Sequence, residues 1–311
     1  MAMYVPKKVY IIQNKPVRRG EICMKTAVMT DSNSGIFPEK SQKEGIFVVP
    51  MPITIDGTTY FEGVDINQKE FLKAQADGRE VLSSQPSPAA VTELWKRVLR
   101  EYEEIVYIPM SSGLSGACGV AKMLSEEFQG KVQVADTHRI SVPLRASVQQ
   151  AWNLVKAGKS ASEVKELLEK HAYDASIYIA VDTMEYLKKG GRVTPAGAAI
   201  GTMLNIKPVL TIQGGKLDAF AKVRSMKKAR KCMIDAAKHD LEKRFGDRSG
   251  HEMMIAAAGS FADPKDMEEW EHMVQEAFPG YSFLSDYLPL SITCHVGPDA
   301  VGIAVICNNL D

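Results

Sequence analysis

The sequence has no paired cysteines at metal-binding spacing, no long apolar run and no excess of charge of either sign. Its cysteines are odd in number and form no CxxC pair: Cys23, Cys118, Cys232, Cys294 and Cys307. We therefore expect no disulfide framework, no zinc site and a reducing, cytoplasmic compartment. Lysine plus arginine equals aspartate plus glutamate at 38 each, so no overall field attracts nucleic acid. No apolar stretch approaches the ~20 residues that cross a bilayer.

The first 23 residues are basic and contain one short apolar stretch, residues 9–12. That stretch is too short for the apolar segment of a signal peptide. Because the first convincing strand begins near Met24, we expect residues 1–23 to be an N-terminal extension, either a leader or a disordered segment. A basic arm that binds a surface is the alternative interpretation.

The remaining pattern predicts an α/β protein with two domains, which 311 residues can accommodate. Up to about residue 150, strands alternate with helices, which is typical of a parallel sheet covered on both faces. Later, a Gln213-Gly214-Gly215-Lys216 hairpin turn and several neighbouring strands favour a mixed sheet. We place the boundary near residue 172, which gives domains of residues 24–172 and 173–311.

Small hydroxyl side chains recur where the predicted strands end. They form the motifs Thr30-Asp31-Ser32, Ser83-Ser84-Gln85-Pro86-Ser87 and Ser111-Ser112-Gly113-Leu114-Ser115-Gly116. Ligands of α/β folds bind beyond the carboxyl ends of strands, and hydroxyl and backbone N–H groups there suit an anionic headgroup. No acidic pair, metal cluster or obvious nucleophile–base pair accompanies these motifs. They therefore indicate a small-anion binding site rather than a catalytic centre.

These motifs, with three later ones, resemble the DegV family, which includes the bacterial fatty-acid-binding FakB subunits. The resemblance runs from Met24 to the C-terminus. The later motifs are Tyr186-Leu187-Lys188-Lys189-Gly190-Gly191-Arg192, Leu204-Asn205-Ile206-Lys207-Pro208 and His295-Val296-Gly297-Pro298. The resemblance implies a Rossmann-like amino-terminal domain and a mixed α/β carboxy-terminal domain, with a long-chain fatty acid held between them in an apolar tunnel.

The resemblance also implies the roles of particular residues and partners. The fatty-acid-binding residues would be Ser83, Ser84, Ser111, Ser112, Arg192 and His295. The supporting residues would be Thr30, Asp31, Ser32, Gly113 and Ser115. Ser83 stands where the family usually has threonine, so the hydroxyl is kept and a methyl group is lost. A FakA-like, ATP-dependent kinase would phosphorylate the bound carboxylate. The chain itself would be a carrier without chemistry, cofactor, metal or nucleic-acid partner, and transient contact with a membrane surface is left open.

Three kinds of alternative remain open. The hydroxyl groups could cap helices, with Ser111 and Ser112 before one helix and Ser83 and Ser84 before another. Asp31 could cap the turn that follows it. Two other functions also remain: a regulatory protein that binds a small anion, and a serine hydrolase of acyl substrates. In the hydrolase, Ser115 would be the nucleophile and His295 the base, and either Asp286 or Asp299 would orient the base.

Overall fold

The computed structural model describes residues 25–41, 45–200 and 206–310. The predicted N-terminal extension, residues 1–23, lies outside these ranges, as do Leu204 and Asn205 of one family motif. The expectation for the extension stays a prediction.

Strands and helices largely alternate through the first half of the described chain, as expected, and they continue to alternate in much of the second half. The strands are β1 (Thr26–Asp31), β2 (Ile46–Val49), β3 (Pro52–Ile55), β4 (Thr58–Phe61), β5 (Val81–Ser83), β6 (Glu104–Ile108), β7 (Val132–Val134), β8 (Ala175–Ala180), β9 (Lys207–Ile212), β10 (Asp218–Val223), β11 (Met253–Gly259), β12 (Ser282–Tyr287) and β13 (Val301–Cys307).

Five of the described helices begin at a residue whose side chain caps the helix N-terminus. The helices are α1 (Pro38–Ser41), α2 (Gln68–Ala76), α3 (Pro88–Val98), α4 (Ala117–Ser125), α5 (Ser141–Lys156), α6 (Ala161–Lys170), α7 (Glu185–Gly190), α8 (Pro195–Ile200), α9 (Met226–Lys243), α10 (Pro264–Ala277) and α11 (Leu290–Val296). Ser160 and Glu163 form a capping box at the start of α6. Asp263 caps α10, and Pro264 follows it in the first turn.

The strands form three sheets. The parallel sheet has the order β2-β1-β6-β7. The mixed sheet has the order β10-β9-β8-β13-β11-β12, in which only β11 and β12 run parallel. A small antiparallel sheet has the order β4-β3-β5, and its strands follow β2 along the chain. The prediction of a mixed α/β fold with one parallel and one mixed sheet is confirmed.

The strand order of the parallel sheet creates a crevice at the ends of β1 and β6. From β1 the chain first adds β2 on one side, and it later adds β6 and β7 on the other. Such a reversal of strand order is where doubly wound folds bind ligands, outside the carboxyl ends of the strands. The hydroxyl motifs after β1 and β6 therefore lie at this crevice.

Apolar side chains cover both faces of the mixed sheet. On one face, Met233 of α9 and Trp270 of α10 pack in a cluster with β8, β11 and β13. On the other face, side chains of α5, α7 and α11 pack against β8, β9 and β11. The small sheet packs Ile53 against Leu290 and Cys294 of α11. Apolar packing thus joins the two halves of the chain, and the boundary near residue 172 stays a prediction.

Two local features, the break between β2 and β3 and the helix α11, were not apparent from the sequence. β2 and β3 belong to different sheets and are separated at Pro50 and Met51. Helix α11 was not expected, and it carries His295. Seven residues give too short an apolar repeat to distinguish a buried helix from a strand.

Candidate functional site

A largely apolar cavity lies between the inner face of the mixed sheet and the crevice of the parallel sheet. It contains about 950 Å³ of empty space, counting the part open to solvent. Its apolar wall includes Ile177, Ile179, Leu187, Ile212, Ala256, Ala258, Leu288, Ile292, Ile303 and Ala304. Five of the predicted site residues also line it: Ser83, Ser84, Ser115, Arg192 and His295. We call these five the cavity-lining cluster.

Ser83 and His295 form the hydrogen bond at the centre of this cluster. Ser83 ends β5 and His295 lies in the last turn of α11, and the Ser83 Oγ to His295 Nε2 distance is 2.9 Å. Burial, with a smaller contribution from the positive charge of Arg192, lowers the pKa of His295 to about 4. The imidazole is therefore neutral near pH 7, and it can donate or accept only one hydrogen bond at each nitrogen.

The Gly190-Gly191 pair places Arg192 beside this histidine. A Cβ at Gly190 would lie 2.5 Å from His295 Nδ1, so a side chain there would collide with the imidazole. Gly191 ends α7 with a φ of 66°, a left-handed conformation that favours glycine. Arg192 is half-buried and donates a hydrogen bond to the Gly190 carbonyl oxygen. The two glycines thus allow the guanidinium and the imidazole to share one side of the cavity.

The helix-capping alternative for Ser83 and Ser84 is wrong. The N-cap of α3 is Ser87, whose Oγ accepts a hydrogen bond from the Ala90 N–H at 3.2 Å. Ser115 lies just before α4, and its Oγ accepts from the Ala117 N–H, also at 3.2 Å. Ser115 therefore supports the start of α4 while lining the cavity.

Ser111, Ser112 and Gly113 are not part of the cavity lining. Ser111 is buried, and its hydroxyl donates to the Gly214 carbonyl oxygen at 3.0 Å. Gly113 packs against the same hairpin turn, since a Cβ there would lie 2.4 Å from that oxygen. Ser112 is exposed, and its N–H donates to Asp136 Oδ1 at 3.3 Å. The structure thus gives Ser111 and Gly113 a role in joining the two sheets, and a fatty-acid contact for Ser111 and Ser112 stays a prediction.

Thr30, Asp31 and Ser32 are buried at the end of β1 and do not line the cavity either. Thr30 Oγ1 donates to the Ile108 carbonyl oxygen of β6 at 2.8 Å. Asp31 accepts from the Asn33 N–H at 3.0 Å and from the Met110 N–H at 2.9 Å. The capping interpretation of Asp31 is therefore confirmed, because it is the N-cap of the 3-10 turn Ser32–Ser34.

Asp31 and Ser32 belong to a buried set of hydrogen bonds that the sequence did not indicate. Ser32 Oγ donates to Glu62 Oε2 at 2.7 Å, and Ser291 Oγ donates to Asn33 Oδ1 at 2.5 Å. The Leu290 N–H, at the start of α11, donates to Glu62 Oε1. We call Asp31, Ser32, Asn33, Glu62 and Ser291 the carboxyl network. It connects the parallel sheet, the small sheet and α11.

Burial dominates the charge state of the two carboxyl groups in the carboxyl network. It raises the pKa of Asp31 to about 6, although the hydrogen bonds from Met110 and Asn33 oppose the shift. Burial, with a smaller contribution from the negative charge of Asp31, raises the pKa of Glu62 to about 7, although the hydrogen bonds from Ser32 and Leu290 oppose the shift. Asn33 and Ser291 of this network line the cavity, so the network supports one part of the wall. The sequence gives no signal for these contacts, because the bonded residues lie too far apart in the chain for a local pattern to show them.

The residues that the structure describes offer neither a metal site nor a membrane-spanning helix. They contain no group of three or more histidine, cysteine, aspartate or glutamate side chains placed to hold a metal ion. In the same ranges, no helix has both the length and the apolar character that a membrane-spanning segment requires.

The fold and the site define a class of protein: a two-sheet α/β protein with an apolar cavity bordered by serine, histidine and arginine side chains. The sequence matches the DegV family, described as uncharacterised proteins, over residues 25–308. The chain therefore belongs to the DegV family.

Individual relatives match this chain along almost their whole length. A DegV domain-containing protein of Deinococcus radiodurans is 33% identical over 286 residues, which cover 91% of this chain and 98% of that protein. A fatty-acid-binding DegV family protein of Thermus thermophilus superposes with a TM-score of 0.81 at 28% identity, covering 91% of this chain and 100% of the other. DegV of Bacillus subtilis, described as a fatty acid binding protein, has a TM-score of 0.79 at 25% identity, with coverages of 91% and 99%.

Proposed function

We propose that this protein binds a long-chain fatty acid, with the carboxylate at the cavity-lining cluster and the tail against the apolar wall. The observation that carries the proposal is the cavity itself, which has a largely apolar wall and a few hydrogen-bonding side chains. The fatty-acid-binding descriptions of the Thermus and Bacillus relatives support it. Burial of each methylene group contributes ~0.8 kcal/mol, so the tail would supply most of the affinity and the polar residues would orient the ligand.

The hydrogen bond between Ser83 and His295 suits this role. The neutral imidazole can donate from Nε2 to Ser83 Oγ, which leaves the serine proton for a carboxylate oxygen. Arg192 would add a positive charge on the same side of the cavity. Hydrogen bonds to a charged group contribute about 1.5–3 kcal/mol, which is enough to select a fatty acid over its ester.

The first experiment identifies the ligand. The purified protein is denatured and extracted with organic solvent, and any fatty acid is identified by mass spectrometry. Ser83→Ala with His295→Ala is the test variant, and Ser125→Ala is the matched control because Ser125 lies outside the cavity lining and its hydroxyl bonds only to Lys122 within α4. We expect a stoichiometric fatty acid in the wild type and the control and a clear loss in the test variant. Empty wild-type extracts, together with no binding of added fatty acid, would reject the proposal.

The proposal extends to a partner. Resemblance to the FakB subunits supports a carrier that presents the carboxylate to a FakA-like kinase, which uses ATP to form acyl phosphate. Arg192, half-buried in the cavity lining, would then face the transferred phosphoryl group. Acyl phosphate formation should require this protein, a FakA-like kinase and ATP together, and Arg192→Ala should reduce it. Equal formation without this protein would remove the carrier role.

The geometry does not favour the serine hydrolase alternative. His295 Nε2 bonds to Ser83 rather than to Ser115, while Ser115 Oγ accepts from a backbone N–H. The two candidate orienting residues lie elsewhere: Asp286 pairs with Arg145 at 2.7 Å, and Asp299 is exposed. A fluorophosphonate probe distinguishes the functions, since stable labelling of Ser115 would support a hydrolase and we expect none.

A further inference from the structure

The N-terminus of α5 contributes polar groups to the cavity wall, and no sequence motif includes this segment. Residues Ile140, Ser141, Val142 and Pro143 all line the cavity, and Ser141 is the first residue of the helix. Because α5 follows β7 of the parallel sheet, its start faces the crevice at the carboxyl ends of the strands. The fold therefore directs this end of the helix toward the ligand site.

This helix begins without a side-chain cap. Its N-cap residue is Ile140, whose side chain has no acceptor. The first N–H groups of a helix have no partner inside the helix, and Pro143 has no N–H to offer. Two peptide donors, those of Ser141 and Val142, therefore remain at the helix start, where the helix dipole is positive. Within residues 25–41, 45–200 and 206–310, no hydrogen bond from either N–H to an acceptor is present.

The Ser141 side chain supplies an independent observation. Ser141 is only 5% exposed, and its hydroxyl has no hydrogen-bond partner among the described residues. A buried hydroxyl without a partner is unfavourable. The backbone of Ser141 is also unfavourable, because its φ of 56° lies in the left-handed region. A ligand atom that accepts a hydrogen bond from this hydroxyl would satisfy it and so explain why the hydroxyl lies in the cavity wall.

Neighbouring hydrogen bonds hold the start of α5 in place. The Arg139 guanidinium is buried and donates to the His171 carbonyl oxygen at 2.9 Å and to Ser147 Oγ at 3.1 Å. The Arg139 carbonyl oxygen accepts from the Ser111 N–H at 3.0 Å, which joins this segment to the loop that carries Ser115. The Ser141 donors are thus positioned before any ligand arrives.

We infer that the Ser141 hydroxyl and the N–H groups of Ser141 and Val142 form a subsite that binds an oxygen acceptor of the ligand. This inference rests on the proposed fatty-acid function. A fatty acid can offer such an oxygen in two places, its carboxylate and a hydroxyl substituent on its chain. The positive end of the helix favours the carboxylate, and Ser141 then binds it together with the cavity-lining cluster.

Two substitutions separate binding from folding. Ser141→Ala removes the hydroxyl, and Ser141→Gly removes it and also relieves the left-handed backbone. Dissociation constants are measured for palmitate, methyl palmitate and 12-hydroxystearate, and the melting temperature is measured for the ligand-free protein. Ser125→Ala, a serine of α4 outside the cavity lining, is the matched control. We expect both variants to bind palmitate about tenfold more weakly and methyl palmitate unchanged. Weakening confined to 12-hydroxystearate would instead place the subsite at the chain.

The two readouts keep the inference falsifiable. Ser141→Gly should melt no lower than the wild type, because it loses an unpaired buried hydroxyl and a strained φ. Unchanged dissociation constants for all three ligands would overturn the subsite. Weaker binding with a matching fall in the melting temperature of both variants would also overturn it, since Ser141 would then be a structural residue. The proposed function fails separately, if the wild type binds no fatty acid at all.

Discussion

The cavity-lining cluster and the carboxyl network border the same cavity but use their polar groups differently. The carboxyl network is buried throughout, and its residues bond to one another and to backbone N–H groups. The cavity-lining cluster is half-buried or exposed, and within the described part of the chain a single hydrogen bond, from Ser83 to His295, joins two of its members. A polar group whose hydrogen bonds are made inside the protein stabilises the fold, whereas one that keeps donors free can bind a ligand.

Removal of a carboxylate from the buried set should have the largest effect. In Asp31→Ala, the Met110 and Asn33 N–H groups lose their acceptor in a buried place. We expect a loss of ~3 kcal/mol in the free energy of unfolding, measured by urea denaturation at pH 8. Asp31→Asn keeps one acceptor oxygen and should lose less. Stability equal to the wild type would show that the network does not support the fold.

Glu62→Gln should alter how stability depends on pH. The folded pKa of Glu62 is raised from 4.5 to about 7, so between these values the folded state binds more protons than the unfolded state. This group therefore stabilises the fold most below pH 4.5, and its contribution falls as the pH rises to about 7. Glutamine cannot ionise, so the variant should gain on the order of 2 kcal/mol over the wild type between pH 5 and pH 8. Parallel pH profiles of unfolding free energy would contradict the shift.

Substitutions in the cavity-lining cluster should affect binding rather than folding. Ser83→Ala and His295→Ala each remove one partner of a half-buried hydrogen bond. We expect each to weaken palmitate binding by ~1.5 kcal/mol, or about tenfold. Their melting temperatures without ligand should fall much less than that of Asp31→Ala. Calorimetric titration with palmitate measures the effect, and unchanged affinity would remove these residues from the site.

Substitution of Ser111 should have the smallest effect, and it tests directly whether this serine binds the ligand or supports the fold. Ser111 was predicted as a ligand residue, but its hydroxyl bonds to the Gly214 carbonyl oxygen across the two sheets. Ser111→Ala should lower the free energy of unfolding by ~1 kcal/mol and leave the affinity of the folded protein for palmitate unchanged. A tenfold loss of affinity without a loss of stability would show that Ser111 contacts the ligand.

Local patterns in the sequence determined the elements of this protein and the place of its hydroxyl motifs at strand ends. The alternation of apolar residues and the caps of α6 and α10 depend on neighbours within a few residues, so they are readable without a structure. The DegV motifs likewise indicate the family from the sequence alone.

Only the tertiary structure decided which hydroxyl groups reach the cavity. Ser83 and His295 are 212 residues apart, and Glu62 and Ser291 are 229 apart. These pairs form because the small sheet packs against α11, a contact that no local pattern encodes. For the same reason Ser111 binds a carbonyl group of the opposite sheet, and Ser141, which belongs to no motif, lines the cavity. Element identity is a local property of the chain, whereas the partner of a buried polar group depends on how distant elements pack.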